Sequence, residues 1–158
     1  MGHSVLAGLI NFIYILSLVF WVGAIAFFSF ITAPAIFKIL EREKAGEVVG
    51  VIFPRYYLIG YVCALMALFS LLVSTRELIG PKQILLYIMM VGWFYAGLVV
   101  SPKSKNLKSL RQSASSTEEK ELLEVKFKKV HSLAVKLNGT VLLVGLGLLW
   151  FSALGLKL

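Results

Sequence analysis

Five residues carry the polar chemistry this sequence could bring together: Arg55, Tyr56, Tyr57, His131 and Asn138. A guanidinium, two phenols, an imidazole and a carboxamide offer many hydrogen-bond donors and one permanent cation, but no strong nucleophile. Such a set suits a carboxylate, a phosphate or a lipid headgroup. Pro54-Arg55 reads as the first turn of a helix, where free N–H groups and the helix dipole favour anions. His131 and Asn138 share one helical face and approach from a second helix at a similar depth. Blander roles compete: Arg55 as a topology anchor and His131 as an interfacial histidine.

Metal and redox chemistry have thinner support. Soft sulfur ligands suit Cu(I), and Cys63, Met66, Met89 and Met90 with a histidine are the residues that could supply them. Methionines are also common gap-fillers in cores, and we expect no metal and no cofactor. A bis-histidine haem would need His3 and His131. These open oppositely running helices, which puts them about 30 Å apart on opposite membrane faces. The chain has no Asp, and no Glu falls within an apolar span. No nucleophile–base pair, phosphate-cradling glycine loop or zinc motif is visible, so the sequence leans away from an enzyme.

The elements that must position these groups are membrane helices. Of 158 residues, 59% are hydrophobic and 15% charged, and the mean hydropathy is +0.87. A soluble domain usually carries about 25% charged residues, so a core this small cannot hide the apolar excess from water. Lipid must cover some of it. No charge occurs from Ser4 to Phe37, ample for the roughly 20 residues that cross a bilayer. We place spans at about 5–31, 55–74, 83–100 and 135–156 of an all-α four-helix bundle, one membrane domain. The first ends near Pro34, and the second opens at Pro54. A cleaved signal peptide is not expected, because no Lys or Arg precedes the long apolar run.

Between spans three and four lies the basic segment 101–134. It reads as turn-like through Ser101–Ser116. A capping box of Ser116 and Glu119 then starts a helix that continues into the fourth span, supported by the pair Glu124 and Lys128. The segments after spans one and three hold 13 Lys and Arg; the opposite side holds Arg76, Lys82 and Lys157. That bias puts both termini outside and the basic segments in the cytoplasm. It predicts a multi-pass protein of the cell (inner or plasma) membrane whose partner is the bilayer's anionic headgroups. The formal net charge of +8 is therefore no sign of nucleic acid. A homo-oligomer or a place in a membrane complex fits the same composition. Each half reads span, basic segment, span, without a convincing residue-level repeat.

Helix faces complete the picture. Asn11, Tyr14, Ser17, Trp21, Ser29 and Thr32 fall within about one third of the first helix. Polar groups in lipid need partners, so this stripe should face other helices. Gly60, Ala64, Ala67, Ser70 and Ser74 form a small-residue face on the second. On the fourth, His131, Asn138, Gly145 and Ser152 follow at seven-residue steps.

These residues bear a family resemblance. The runs Phe20-Trp21-Val22-Gly23, Phe27-Phe28-Ser29-Phe30, Ala33-Pro34-Ala35-Ile36-Phe37, Ala45-Gly46-Glu47-Val48-Val49-Gly50 and Phe53-Pro54-Arg55-Tyr56-Tyr57 resemble the transmembrane-protein-205-like family, also known as DUF4149. The likeness covers most of the chain and continues at His131-Ser132 and Asn138. It implies a four-helix membrane domain without established activity, some members being linked to drug or metal tolerance. More distantly the chain is similar to CopD copper-resistance proteins and HemJ-type protoporphyrinogen oxidases. HemJ-type proteins carry a haem-ligating histidine seven residues before a tryptophan; counting back from Trp21, that position here is Tyr14. The expected function is a non-enzymatic membrane protein that handles a small solute or metal or serves as a subunit. The alternative is a haem- or porphyrin-linked oxidoreductase.

Overall fold

The computed structural model describes residues 2–154, with side chains from residue 5. The side chain of His3 and residues from 155 on, Lys157 included, lie outside the described residues, and with them the haem geometry that rested on His3. Six α-helices run in order: α1 Gly2–Phe27, α2 Ala33–Ile39, α3 Arg42–Thr75, α4 Pro81–Tyr95, α5 Ser101–Ser113 and α6 Thr117–Leu154. Two π-helical turns, Phe28–Thr32 and Ala96–Val100, fuse α1 to α2 and α4 to α5. Four long rods result, each apolar and long enough to cross a membrane. No strand occurs among the described residues.

The rods outrun the expected spans, and the prolines explain how. Pro34 does not stop the first helix, which continues to Ile39. A proline inside a helix removes one N–H and presses its ring on the carbonyl four residues back. The preceding π turn, in which the Ala33 N–H reaches back to the Phe28 carbonyl, widens the backbone where that clash would fall. Pro102 follows the second π turn in the same way, the Ser101 N–H bonding the Ala96 carbonyl. Segment 101–116 is thus helical through Ser113 rather than turn-like. Ser101-Pro102 therefore lies inside a continuous rod, not at a helix end.

Pro54 likewise lies inside α3, which starts at Arg42. Pro54 and Gly50 are both exposed, so the carbonyl that loses its bond points away from the core. At Ser116 the reading holds. Its hydroxyl accepts the Glu119 N–H at 3.1 Å, and Glu124 pairs with Lys128 at 3.6 Å.

The bundle is held by one apolar core. Leu18, Trp21, Ile25, Leu86, Met89, Trp93 and Leu148 are fully buried at its centre. α1 packs most extensively on α3 and α4 on α6, with α1–α6 and α3–α4 contacts closing the ring. The outward faces are apolar too: Phe20, Phe27, Phe69, Val91, Leu143 and Trp150 all stand exposed. Water would make that arrangement very costly, whereas hydrocarbon makes it ordinary. The fold is an all-α four-helix membrane bundle. Beyond it, α5 and the start of α6 pack a small second core of Leu107, Ala114 and Leu123.

In that hairpin Arg111 donates to the Glu124 carboxylate and lies 5.8 Å from the Phe127 ring centre. The Arg111 hydrogen bond, then the charges of Arg111, Lys128 and Arg42, hold the Glu124 carboxyl below its ordinary value against the opposing effect of partial burial. A carboxyl lowered by folding contributes stability above its unfolded pKa, and that contribution fades as pH falls through the lowered native value. For so accessible a pair the effect is about 1 kcal/mol or less. The protection of α5 and α6 amides, taken relative to their intrinsic exchange rates at each pH, should therefore fall on acidification below the ordinary carboxylate range, and Glu124→Gln should flatten that pH dependence.

Candidate functional site

Of the polar stripe of α1, Tyr14, Ser17 and Trp21 are buried, Ser29 and Thr32 half-buried and Asn11 exposed. Ser74 donates to the Asn11 side chain at 3.0 Å, tying α3 to α1. Tyr14 is buried, and its hydroxyl lies 3.5 Å from that of Ser152 on α6. Ser17 and Ser152 return their protons to their own helices, to the Ile13 carbonyl at 2.7 Å and the Leu148 carbonyl at 2.7 Å. The Asn11–Ser74 and Tyr14–Ser152 contacts are interhelical fastenings at the end of the bundle near the 76–80 turn.

Deeper in the bundle an aromatic cluster gathers around Trp93. Its indole meets Trp21 edge-on with ring centres 5.7 Å apart. Tyr56 and Tyr57 pack on it at 4.9 Å and 5.1 Å. The Trp93 N–H donates to the Tyr57 carbonyl at 3.1 Å. Two glycines make this possible. A Cβ on Gly60 would fall 2.2 Å from the Trp93 ring, and one on Gly97 would fall 2.0 Å from the Tyr61 hydroxyl. Both π turns touch the tyrosine pair: Phe28 packs on Tyr56 at 5.0 Å, and Gly97 lies under the Tyr57 ring.

Among the described residues, three buried polar atoms, all in and around this cluster, have no hydrogen-bond partner: Trp21 Nε1, the Tyr56 hydroxyl and Asn138 Oδ1. The Asn138 side chain lies beside the Tyr57 hydroxyl, so α6 contributes to the cluster. Buried polar groups are nearly always partnered, and in hydrocarbon an orphan is costlier still. These three atoms are where the interior could hold something polar.

Of the five residues first singled out, the structure brings together Tyr56, Tyr57 and Asn138. It leaves Arg55 and His131 on the surface. Because α3 begins at Arg42, Arg55 has no free helix N–H groups beside it, so the helix-start argument for an anion at Pro54-Arg55 does not apply. His131 stacks on Phe127 at 5.9 Å instead of turning inward. Of the sulfur residues, Cys63 and Met89 are buried whereas Met66 is 44% exposed, so Met66 does not join them in the core. No group of three or more His, Cys, Asp or Glu side chains converges among the described residues.

With the geometry in place, comparison with known proteins adds one firm result. The model of DUF4149, a domain of unknown function, matches residues 16–113. The chain belongs to the DUF4149 family. The matched region takes in Trp21, Tyr56, Tyr57, Trp93 and both π turns, and ends before Asn138. A protein of Aquifex aeolicus (strain VF5), named only as uncharacterized, is 31% identical over 128 residues, which is 81% of this chain and 85% of that protein. No solved structure matches.

Within this DUF4149 chain, sequence reasoning missed Trp93, Gly60 in its role as a socket, and Gly97. Trp93 gave no polar or charged signal of its own. The small-residue face of α3 was the available clue: Gly60, Ala64, Ala67 and Ser70 are all buried. A face that small on a helix of 34 residues leaves room for a large side chain from elsewhere.

Proposed function

We propose that this multi-pass membrane protein is non-enzymatic and handles a small solute at the polar cluster around Trp93, with its basic inner arms held against anionic headgroups of the cell membrane. One observation carries the reading: among the described residues, three buried polar atoms lack a partner where the other buried hydroxyls named above, those of Tyr14, Ser17 and Ser152, have one. Nothing about them resembles a catalytic set, since phenol, indole and carboxamide bind but do not readily exchange protons near neutral pH. The basic arms stand on one side, and thirteen Lys and Arg against three support a cytoplasmic placement. Four helices leave little room for an aqueous path within one chain, so transport favours an oligomer.

Proteoliposomes challenged osmotically with urea or glycerol supply the test. Faster swelling than in empty liposomes is expected, slowed by Asn138→Leu and unaffected by Arg55→Ala or His131→Ala. Swelling no faster than lipid alone would turn the assignment toward a subunit of a larger assembly.

Kinship with the transmembrane-protein-205-like proteins, and more remotely with CopD and HemJ types, belongs to this proposal. Haem of the HemJ kind fits this chain poorly. Tyr14 stands at the ligand position and faces Ser152, and His131 points away from the core. A Soret band in protein purified from native membrane would reinstate the oxidoreductase alternative.

A further inference from the structure

The two halves of the chain are built alike at the residue level, although their sequences show little of it. Pro34 and Pro102 each stand two residues beyond a π turn, 68 positions apart. The same shift of 68 carries the buried residues Leu18, Trp21, Ile25 and Phe28 of the first rod onto the buried Leu86, Met89, Trp93 and Ala96 of the third. The second and fourth rods correspond at a shift of 85, Tyr56, Tyr57, Gly60, Cys63 and Ala67 falling on Val141, Leu142, Gly145, Leu148 and Ser152, all buried. Gly60 and Gly145 even share a task. A Cβ on Gly60 would strike Trp93, and one on Gly145 would come within 2.6 Å of Val22 and 2.9 Å of Met89. The larger shift for the second pair reflects the longer inner hairpin of α5 and α6.

Packing follows the same pseudo-two-fold. The intra-pair contacts α1–α3 and α4–α6 are the extensive ones, and the cross contacts α1–α6 and α3–α4 are the lesser ones. First and third rods run the same way, so the axis lies along the bundle, as in membrane proteins with parallel internal repeats.

Against that symmetry, the departures are informative. The three unpartnered buried polar atoms among the described residues sit where the counterpart residue is apolar: Trp21 against Met89, Tyr56 against Val141, Asn138 against Phe53. The counterpart positions hold the same fold together without polar groups there. Packing alone therefore does not require the hydroxyl of Tyr56 or the amide of Asn138.

We infer that the chain is a fused pair of equivalent two-helix units, and that Tyr56 and Asn138, where the units have diverged, together bind one small neutral molecule carrying both a donor and an acceptor. Both residues flank Tyr57, Tyr56 at 5.2 Å between ring centres and Asn138 beside its hydroxyl. The Tyr56 O–H can donate and Asn138 Oδ1 can only accept, so the bound molecule accepts from one and donates to the other. A charged ligand is disfavoured, because no Lys, Arg, Asp or Glu is among the buried residues of this core and an unpaired charge in hydrocarbon is costly. Water and a small amide or alcohol share this chemistry. The inference rests on the solute reading above, but it concerns occupancy rather than movement.

Thermal unfolding of the full-length protein in detergent tests it by sign. A hydroxyl or amide without a partner is a burden whose removal stabilises; one bonded to a ligand is a loss when removed. Tyr56→Phe and Asn138→Leu should each lower the melting temperature by about 2–4 °C. The double variant should lose no more than the worse single, since one molecule serves both. Acetamide, a neutral donor–acceptor probe, should raise the melting temperature of the unaltered protein but not of the double variant if a solute occupies the site. A melting temperature indifferent to acetamide, with the variant losses intact, identifies water. Either single variant leaving the melting temperature unchanged or raised, or losses that simply add, would overturn the inference. Swelling assays could fail while these results stand, which separates this inference from the transport reading.

Discussion

Replacing Trp93 with alanine is expected to destabilise the bundle by about 3–5 kcal/mol, as truncation of a fully buried large aromatic does. Trp93 has no exposed surface, meets Trp21, Tyr56 and Tyr57, and spans from α4 to the Tyr57 carbonyl of α3. Its loss would open a cavity at the crossing of three rods and free that carbonyl's second bond. Gly60→Ala attacks the same contact from the other side. The new methyl would sit 2.2–2.4 Å from three Trp93 ring atoms, closer than any real contact, and a buried indole has nowhere to move. Overpacking of this kind costs about 1–3 kcal/mol. Combined, the two changes should be far from additive, because alanine at 93 makes room for the methyl at 60. Gly147→Ala is the control: nothing lies within 4 Å of its added Cβ, and helix propensity favours alanine over glycine by roughly 0.5–1 kcal/mol. Unfolding of purified variants, followed by retention of the folded species on gel filtration after heating, would rank them.

The four rods were legible in the sequence because hydrophobic length and the absence of charge are dictated by the bilayer. The polar stripe of α1 was legible for a related reason: Asn11 and Tyr14 repeat at helical spacing, and lipid offers them no partners. Where the reading went astray, proline was the cause. The ordinary rule makes Pro34 and Pro54 helix boundaries, yet helices run through both. The π turn that accommodates Pro34 has no composition signal and becomes visible only as backbone. The same rule supplies the helix-start argument for an anion at Arg55, and that start lies at Arg42 instead. Tyr56, Tyr57 and Asn138 were found by residue type, but Trp93, which organises them, was not. A tryptophan in an apolar span looks the same whether it faces lipid, as Trp150 does, or fills a socket made by a distant glycine.

Changing six arm lysines, Lys103, Lys105, Lys108, Lys126, Lys128 and Lys129, to glutamine should produce a mixed topology, with a readily measured share of molecules inverted. Orientation follows Lys and Arg in short segments near span ends, and Asp or Glu count for little. The substitutions reduce the total on the proposed inner side from thirteen to seven against three on the other. Each basic residue near an anionic surface contributes about 1 kcal/mol, so the combined loss is large compared with thermal energy. The fold should survive, because none of the six is buried. Protease protection of inverted and native molecules in isolated vesicles would count the two populations.

Cysteine labelling of intact cells tests the membrane arrangement most directly, and the chain is suited to it, since Cys63 is its one cysteine. In a Cys63→Ser background, a membrane-impermeant maleimide should modify Glu77→Cys, in the short turn between the second and third rods, without any treatment of the cells. Ser113→Cys, at the end of α5, should react only after the membrane is opened. Labelling of Ser113→Cys in sealed cells with Glu77→Cys protected would invert the account, and equal labelling of both would remove the bilayer from it altogether.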